Sequence, residues 1–176
     1  MKKYLVIGNP IGHSLSPLTH NYWIKKYRLI DSVYEKRKIE EKDLENIIKE
    51  IREDKIVGVN ITVPFKKLII PFLDKLDFSA EETQSVNTLF KINNKIVGYN
   101  TDRNGFWDTI KNFYPTTKDF RKPPPLEGKR IFILGAGGVT SSIISALKNG
   151  GANNIILSNR TKEKANELKK LFPELE

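Results

Sequence analysis

Residues 130–164 read RIFILGAGGVTSSIISALKNGGANNIILSNRTKEK, and their pattern is the strongest indication of the fold. Arg130–Leu134 is an apolar, strand-like run that leads directly into Gly135-Ala136-Gly137-Gly138. A helical segment from about Val139 to Asn149 follows, and Asn154–Leu157 forms a second strand candidate. A strand, a glycine-rich turn, a helix and a second strand in this order are typical of dinucleotide binding. We therefore predict the first half of a Rossmann-type dinucleotide-binding domain over residues 129–176.

The glycines of this turn have separate predicted tasks. Gly135 permits the tight turn, while Gly137 and Gly138 let backbone N–H groups approach a pyrophosphate that the following helix also attracts. The third glycine position of the general pattern is occupied by Thr140, which is a departure. Glycines can also end a strand for purely steric reasons, but the flanking strands and helix favour the nucleotide role.

The end of the second strand predicts which dinucleotide binds. NAD-binding domains place Asp or Glu there to hold the ribose hydroxyls. This chain instead has Ser158-Asn159-Arg160-Thr161, with Lys164 one helical turn later. The charges of Arg160 and Lys164 suit a 2′-phosphate, so we predict NADPH rather than NADH. The alternative is an ordinary helix start, with Thr161 as N-cap and Lys164 directed to water.

Upstream, strand-like runs alternate with segments of helical periodicity, which predicts a mostly parallel α/β domain over residues 1–113. The strand candidates are Tyr4–Ile7, Val33-Tyr34, Ile56–Val63, and a hairpin of Thr88–Ile92 and Ile96–Tyr99. The helix candidates are Leu18–Tyr27 with Ser16 as N-cap, Asp43–Glu53, Phe65–Leu76 broken at Pro71, a short turn capped by Ser79, and one through Phe106–Ile110 capped by Thr101 or Asp102. Residues 114–128 contain three consecutive prolines among polar residues and are predicted to be a linker.

Composition narrows the function classes. The 176 residues carry a net charge of +9, but the charge is spread along helices of mixed sign, so a solvated surface is favoured over nucleic-acid binding. No apolar run approaches the length of a membrane span, and no secretory signal is visible, which predicts a cytoplasmic protein without a membrane partner. The chain has no Cys, so disulfides and thiolate metal sites are excluded, and no metal site is predicted.

Four polar clusters follow predicted strands, at residues 8–17, 60–66, 85–88 and 100–105. Open α/β sheets bind ligands at the edge that is formed by the carboxyl ends of their parallel strands. Amides, hydroxyls, one Lys and one Asp suit a polyhydroxylated acid, because each hydroxyl of such a ligand needs a donor and an acceptor. Each cluster taken singly has a structural explanation: Ser16 and Asp102 could cap helices, and a lone Lys after a Pro turn is usually solvated.

Taken together, the motifs resemble the shikimate dehydrogenase family in order and approximate spacing. They are Gly-Asn-Pro-Ile-Gly-His-Ser-Leu-Ser-Pro at 8–17, Asn-Ile-Thr-Val-Pro-Phe-Lys at 60–66, Val-Asn-Thr at 86–88, Asn-Thr-Asp-Arg-Asn-Gly at 100–105, Gly-Ala-Gly-Gly at 135–138 and Asn-Arg-Thr at 159–161. The resemblance implies a substrate domain followed by a Rossmann-type NADP-binding domain. It also implies NADPH-dependent reduction of 3-dehydroshikimate to shikimate, a step of chorismate and aromatic amino-acid biosynthesis.

The resemblance also implies roles for individual residues. Lys66 would be the catalytic acid/base, with Asp102 facing it across a small cleft. Ser14 and Ser16 would hold the substrate carboxylate, and Asn60, Thr62, Asn87 and Asp102 would bind the ring hydroxyls. The pyrophosphate would lie on Gly135, Ala136, Gly137, Gly138 and Val139, and the 2′-phosphate on Asn159, Arg160, Thr161 and Lys164.

Two departures accompany the resemblance. Gln84 precedes Ser85 where the family usually has Gly, so we expect the local backbone to differ. Family members are also longer, so we expect the chain to be C-terminally incomplete and to lack a Tyr and a Gln of the substrate site. An NAD-dependent quinate/shikimate dehydrogenase and a fragment that binds ligand without turnover are the alternatives. The oligomeric state is left open, with a homodimer as one option.

Overall fold

The computed structural model describes residues 1–113 and 125–176. These residues form two compact units, Met1–Asn100 and Thr101–Glu176. Most of the linker predicted over residues 114–128 lies outside the described residues. The domain limits expected from the sequence, with a substrate domain that ends at residue 113, stay predictions.

The first unit is a six-stranded sheet with helices. Its elements are β1 (Lys2–Gly8), α1 (Ser16–Lys26), β2 (Ser32–Lys38), α2 (Leu44–Arg52), β3 (Gly58–Ile61), α3 (Phe65–Leu68), β4 (Lys75–Leu76), α4 (Phe78–Thr83), β5 (Thr88–Ile92) and β6 (Lys95–Tyr99). The strand order is β2-β1-β3-β5-β6-β4. The pairs β1–β2, β1–β3 and β4–β6 are parallel, whereas β5 runs antiparallel to both of its neighbours. The prediction of a mostly parallel α/β sheet is confirmed.

The register of these strands gathers the predicted substrate residues at one edge. Ile7 pairs with Ile61 near the carboxyl ends of β1 and β3, so the loops that follow both strands leave the sheet side by side. Because β5 is antiparallel to β3, its first residue, Thr88, pairs with Asn60. The start of β5 therefore lies at the same edge as the end of β3.

The core of this unit lies between α2 and one face of the sheet. Helix α2 buries Leu44, Ile47, Ile48 and Ile51, which are spaced three or four residues apart on one helical face. They belong to one cluster with residues of β1, β3 and β5, such as Leu5, Val59 and Leu89. The helix predicted over Asp43–Glu53 is confirmed, with bounds that differ by one residue at each end.

Several local predictions are wrong in detail. Helix α3 ends at Leu68, a 3-10 turn covers Ile70–Phe72, and β4 follows, because Pro71 cannot donate a helical hydrogen bond. Asp77 caps α4, accepting a hydrogen bond from the Ser79 N–H, so Ser79 is not the cap. Ser16 is the first residue of α1 rather than its N-cap, and its N–H donates to the Ser14 hydroxyl.

The second unit contains α5 (Asp102–Ile110), β7 (Arg130–Leu134), α6 (Thr140–Asn149), β8 (Asn154–Ser158) and α7 (Lys162–Leu171). Strands β7 and β8 are parallel and pair from Arg130–Asn154 to Leu134–Ser158. Helix α6 connects them and buries Ile144 and Leu147 in a cluster with residues of β8 and α7. The predicted strand, glycine turn, helix and strand are all present. Across residues 1–113 and 125–176, no helix combines the length and the apolar character that crossing a membrane requires.

Candidate active site

The loops after β1 and β3 are joined by backbone hydrogen bonds at the sheet edge. The Asn9 N–H donates to the Val63 carbonyl at 2.9 Å, and the Thr62 N–H donates to the Ile7 carbonyl at 3.0 Å. The approach is so close that a Cβ atom on Gly8 would lie 2.5 Å from Thr62 Cγ2 and 3.1 Å from the Val63 carbonyl oxygen. Glycine at position 8 is therefore a steric requirement of the site.

We expect Gly8→Ala to lower the free energy of unfolding by about 1–3 kcal/mol, because the added methyl group must displace Thr62 and the backbone at Val63. Gly12→Ala is the matched control, since a Cβ atom at Gly12 meets nothing within 4 Å. Chemical denaturation of both variants measures the difference. Equal stability of the two variants would contradict the close approach at Gly8.

A chain of side-chain hydrogen bonds joins Asn60 to Asn87. Asn60 Nδ2 donates to Thr88 Oγ1 at 2.9 Å and to the Asn87 carbonyl at 3.3 Å. Thr88 Oγ1 in turn donates to Asn87 Oδ1 at 3.0 Å. The Tyr34 hydroxyl donates to Asn60 Oδ1 at 2.6 Å. Two of the predicted hydroxyl-binding residues, Asn60 and Asn87, are thus brought together.

The backbone of Lys66 is hydrogen-bonded to the segment that precedes Asn87. Lys66 lies in α3, beside Phe65, whose ring is fully buried. The Lys66 carbonyl accepts a hydrogen bond from the Val86 N–H at 2.9 Å, which ties α3 to the residue before Asn87. The Lys66 side chain is half-buried rather than fully solvated. Asp102 is half-buried at the first residue of α5, in the second unit, so its juxtaposition with Lys66 stays a prediction.

The departure at Gln84 has a structural explanation. Gln84 ends α4 with φ 46° and ψ 43°, the left-handed conformation that favours glycine. Its Nε2 donates to the Glu81 carbonyl at 2.7 Å. The next residue, Ser85, is buried, and its carbonyl accepts a hydrogen bond from the buried Asn100 side chain at 2.8 Å. A glycine-like backbone is therefore present here without a glycine.

Ser14 and Ser16 lie together at the start of α1, joined by the hydrogen bond from the Ser16 N–H to Ser14 Oγ at 3.3 Å. Both are half-buried. Burial raises the pKa of Tyr34 to about 12, against a smaller lowering effect of a hydrogen bond with the Ser16 hydroxyl. Ser16 therefore neighbours the Tyr34 oxygen, which connects the predicted carboxylate-binding residues to the Asn60 chain.

Sequence reasoning missed Tyr34 as a site residue. It lies in β2 and is buried, whereas the four residues that follow it, Glu35–Lys38, are all charged. A single aromatic residue followed by four charged residues in a predicted strand is the sequence signal that could have identified it.

The glycine turn of the second unit has the backbone expected for it. Gly135 has φ +105°, and its N–H donates to the Ser158 carbonyl at 2.8 Å. A Cβ atom on Gly137 or Gly138 would meet nothing within 4 Å, so space is open before the first turn of α6. This space and the positive end of α6 fit a pyrophosphate. Thr140, at the third glycine position, is buried and donates from Oγ1 to the Gly135 carbonyl at 3.1 Å.

Asn159 links this turn to the end of β8. Its Oδ1 accepts a hydrogen bond from the Ala136 N–H at 3.0 Å, and its Nδ2 donates to the Thr161 carbonyl at 2.7 Å. Arg160 and Lys164 are exposed beside it. Thr161 occupies the N-cap position of α7, but its side chain makes no capping hydrogen bond. Residues 158–161, at the end of β8 and in the turn after it, thus contain one basic side chain, Arg160, and no carboxylate. The first turn of α7 adds Lys162, Glu163 and Lys164.

Two family models match the chain. Residues 6–89 match the shikimate dehydrogenase substrate binding domain, and residues 118–176 match the shikimate / quinate 5-dehydrogenase model. The chain is 55% identical over 175 residues to shikimate dehydrogenase (NADP(+)) of Pelagibacter ubique, which covers 99% of this chain and 62% of that relative.

Solved structures agree with these matches. Shikimate dehydrogenase from Aquifex aeolicus superposes with a TM-score of 0.85 at 40% identity, over 100% of this chain and 62% of that one. The Thermus thermophilus enzyme in complex with shikimate gives 0.82 at 30% identity, over 99% of this chain and 62% of that one. The chain thus spans 62% of the length of the Pelagibacter ubique relative.

Proposed function

The chain belongs to the shikimate dehydrogenase family, and from this premise we propose that the protein catalyses the NADPH-dependent reduction of 3-dehydroshikimate to shikimate. The observation that carries the proposal is the hydrogen-bonded group of Asn60, Thr88 and Asn87, at the sheet edge where the Lys66 backbone is also held. Such a group of amides and hydroxyls suits a polyhydroxylated ring.

In the proposed complex, Ser14 and Ser16 bind the substrate carboxylate at the start of α1, where the helix dipole also favours an anion. Asn60, Thr62 and Asn87 bind ring hydroxyls, together with Asp102. The position of Thr62 supports its part, because its N–H donates to the Ile7 carbonyl at 3.0 Å and its methyl group lies beside Gly8 at the same edge.

Lys66 is proposed to move the proton of the reaction. Reduction of the ketone leaves negative charge on its oxygen, and an ammonium group there supplies both a proton and a neighbouring positive charge. NADPH, when bound, supplies the hydride. Asp102 is proposed to orient Lys66 and the reacting hydroxyl, as the family resemblance implies. The buried Phe65 ring and the hydrogen bond between the Lys66 carbonyl and the Val86 N–H support the placement of Lys66.

For the cofactor, Gly135, Ala136, Gly137, Gly138 and Val139 are proposed to hold the pyrophosphate. Asn159, Arg160, Thr161 and Lys164 are proposed to hold the 2′-phosphate. The open space at Gly137 and Gly138 and the exposure of Arg160 and Lys164 support these assignments.

We further propose a cytoplasmic protein that acts on small molecules, without a nucleic-acid or membrane partner. Many of its charges are balanced locally, as in the Arg37–Glu50 and Arg52–Asp74 ion pairs, which supports a solvated surface. The oligomeric state is a separate point, and measuring the molar mass by light scattering distinguishes a monomer from a homodimer.

The test is the loss of NADPH absorbance on mixing the protein with 3-dehydroshikimate. We expect turnover with NADPH to exceed turnover with NADH, and shikimate to bind in a calorimetric titration. Faster turnover with NAD and quinate would favour the alternative dehydrogenase. Binding of shikimate without turnover would indicate a chain that binds its ligand only, and loss of both would reject the proposal.

A further inference from the structure

Tyr34 is held rigidly at the end of the Asn60 carboxamide. Its hydroxyl donates to Asn60 Oδ1 at 2.6 Å. The ring stacks on His20, with centroids 4.2 Å apart and planes 8° from parallel. The Asn21 side chain binds both the backbone N–H and the carbonyl of Tyr34, at 3.0 and 2.8 Å. The direction from which the phenol meets Asn60 is therefore fixed.

These contacts determine which way the Asn60 carboxamide faces. A carboxamide has two N–H donors and two acceptor lone pairs. Both Nδ2 hydrogens of Asn60 are used, by Thr88 Oγ1 and the Asn87 carbonyl, and Tyr34 uses one lone pair of Oδ1. The reversed orientation would set Oδ1 against the Asn87 carbonyl oxygen, which is two acceptors in contact. The Asn60 side chain can therefore only accept a hydrogen bond from a ligand, through Oδ1.

We propose that Tyr34 is a positioning residue that keeps Asn60 Oδ1 available to accept a hydrogen bond from a substrate hydroxyl. This inference rests on the proposed function. The reacting position alternates between a carbonyl and a hydroxyl, and a carbonyl has no proton to donate. Asn60 therefore contacts one of the two ring hydroxyls that the reaction leaves unchanged. Because the pKa of Tyr34 is raised to about 12, the phenol keeps its proton for Asn60 throughout the neutral range.

Tyr34→Phe tests the proposal, because it removes the hydroxyl and keeps the ring that stacks on His20. We expect the Kd for shikimate and the KM for 3-dehydroshikimate to rise about tenfold, the effect of one hydrogen bond, while kcat changes less than about twofold. In an Asn60→Ala background the same change is expected to have no further effect on Kd. Tyr27→Phe is the matched control, since Tyr27 and Tyr34 both line a cavity of about 620 Å³, but Tyr27 is 66% exposed.

A second measurement needs no ligand. The NMR signal of the Asn60 side-chain NH₂ group is assigned by its loss in Asn60→Ala. We expect the protons of this group to exchange with water faster in Tyr34→Phe than in the parent protein. Unchanged exchange together with unchanged Kd would overturn the inference. An equal loss of affinity in both backgrounds would also overturn it, because the effect would then not pass through Asn60. If the parent protein does not bind shikimate, the proposed function fails while the exchange measurement still decides the Tyr34–Asn60 link.

Fluorinated shikimates cover the case in which Tyr34→Phe does not fold. Fluorine in place of an unreacting hydroxyl cannot donate to Asn60 Oδ1. One of the two analogues is expected to bind the parent protein about tenfold more weakly than shikimate, and to show no such deficit in Asn60→Ala. Equal binding of both analogues and shikimate to the parent protein would contradict an acceptor role for Asn60.

Discussion

Lys66→Ala is expected to lower kcat for the reduction of 3-dehydroshikimate by about a thousandfold, within the range that a positioned proton donor contributes. The methyl group of Ala cannot donate a proton to the ketone oxygen, which receives negative charge during the reduction. The substitution also removes the positive charge that is proposed to lie beside this oxygen. The KM is expected to change little, because the amides and hydroxyls that bind the ring remain. Steady-state rates at saturating NADPH measure both constants.

Lys67→Ala is the control for Lys66→Ala, since Lys67 is the next residue of α3 and is exposed. It removes the same charge from the same helix and is expected to keep kcat within about twofold of the parent, as surface changes do. Asp102→Asn is expected to lower kcat as well, and the double variant should lose less than the product of the two single losses, because the family resemblance implies that the two side chains act together. Near-normal kcat in Lys66→Ala would remove Lys66 from the catalytic role.

The strands and the helix around the glycine turn were predictable because each of them has a local signal. The apolar run of β7 ends at Gly135, where φ +105° requires glycine, and helical periodicity begins at once. Predicted and observed limits of β7 and β8 therefore agree to within one residue. The amphipathic helix α2 was predictable for the same reason.

The arrangement of the first unit was less predictable, because it depends on contacts distant in sequence. The antiparallel insertion of β5 places Thr88 opposite Asn60, and no local pattern reports that pairing. Strand β4 is only Lys75–Leu76 and depends on its pairing with β6. The role of Tyr34 also follows from pairing, because β2 has to lie beside β1 before its phenol can reach Asn60.

The site residues were predicted through the resemblance, and neighbouring hydrogen bonds explain why single positions can differ from the family pattern. Gln84 keeps a left-handed backbone by bonding its side chain to the Glu81 carbonyl, and Thr140 bonds back to Gly135 where the general pattern has glycine. At Gln84 the left-handed backbone is present without a glycine, and at Thr140 helix α6 begins directly after the turn although the residue differs. A motif comparison records such positions as departures, and only the hydrogen bonds reveal the compensation.

Arg160→Asp is expected to reverse the choice of cofactor. The proposed contact is a charge-assisted pair between the guanidinium and the 2′-phosphate, and a carboxylate in its place repels that phosphate. The same carboxylate can accept hydrogen bonds from the ribose hydroxyls of NADH, as in NAD-binding domains. We expect the ratio of kcat/KM for NADPH to that for NADH to fall about a hundredfold, with most of the change in KM.

Lys170→Asp is the matched control, because it makes the same change of charge in the last turn of α7, about 12 Å along the helix from its first residue. It is expected to leave the ratio within about twofold, since exposed charges separated by more than a Debye length are largely screened. Lys164→Ala should lower the ratio less than Arg160→Asp does, because it removes one attraction without adding a repulsion. An unchanged ratio in Arg160→Asp would mean that the 2′-phosphate is read elsewhere, and Arg160 would then be an exposed residue at an ordinary helix start.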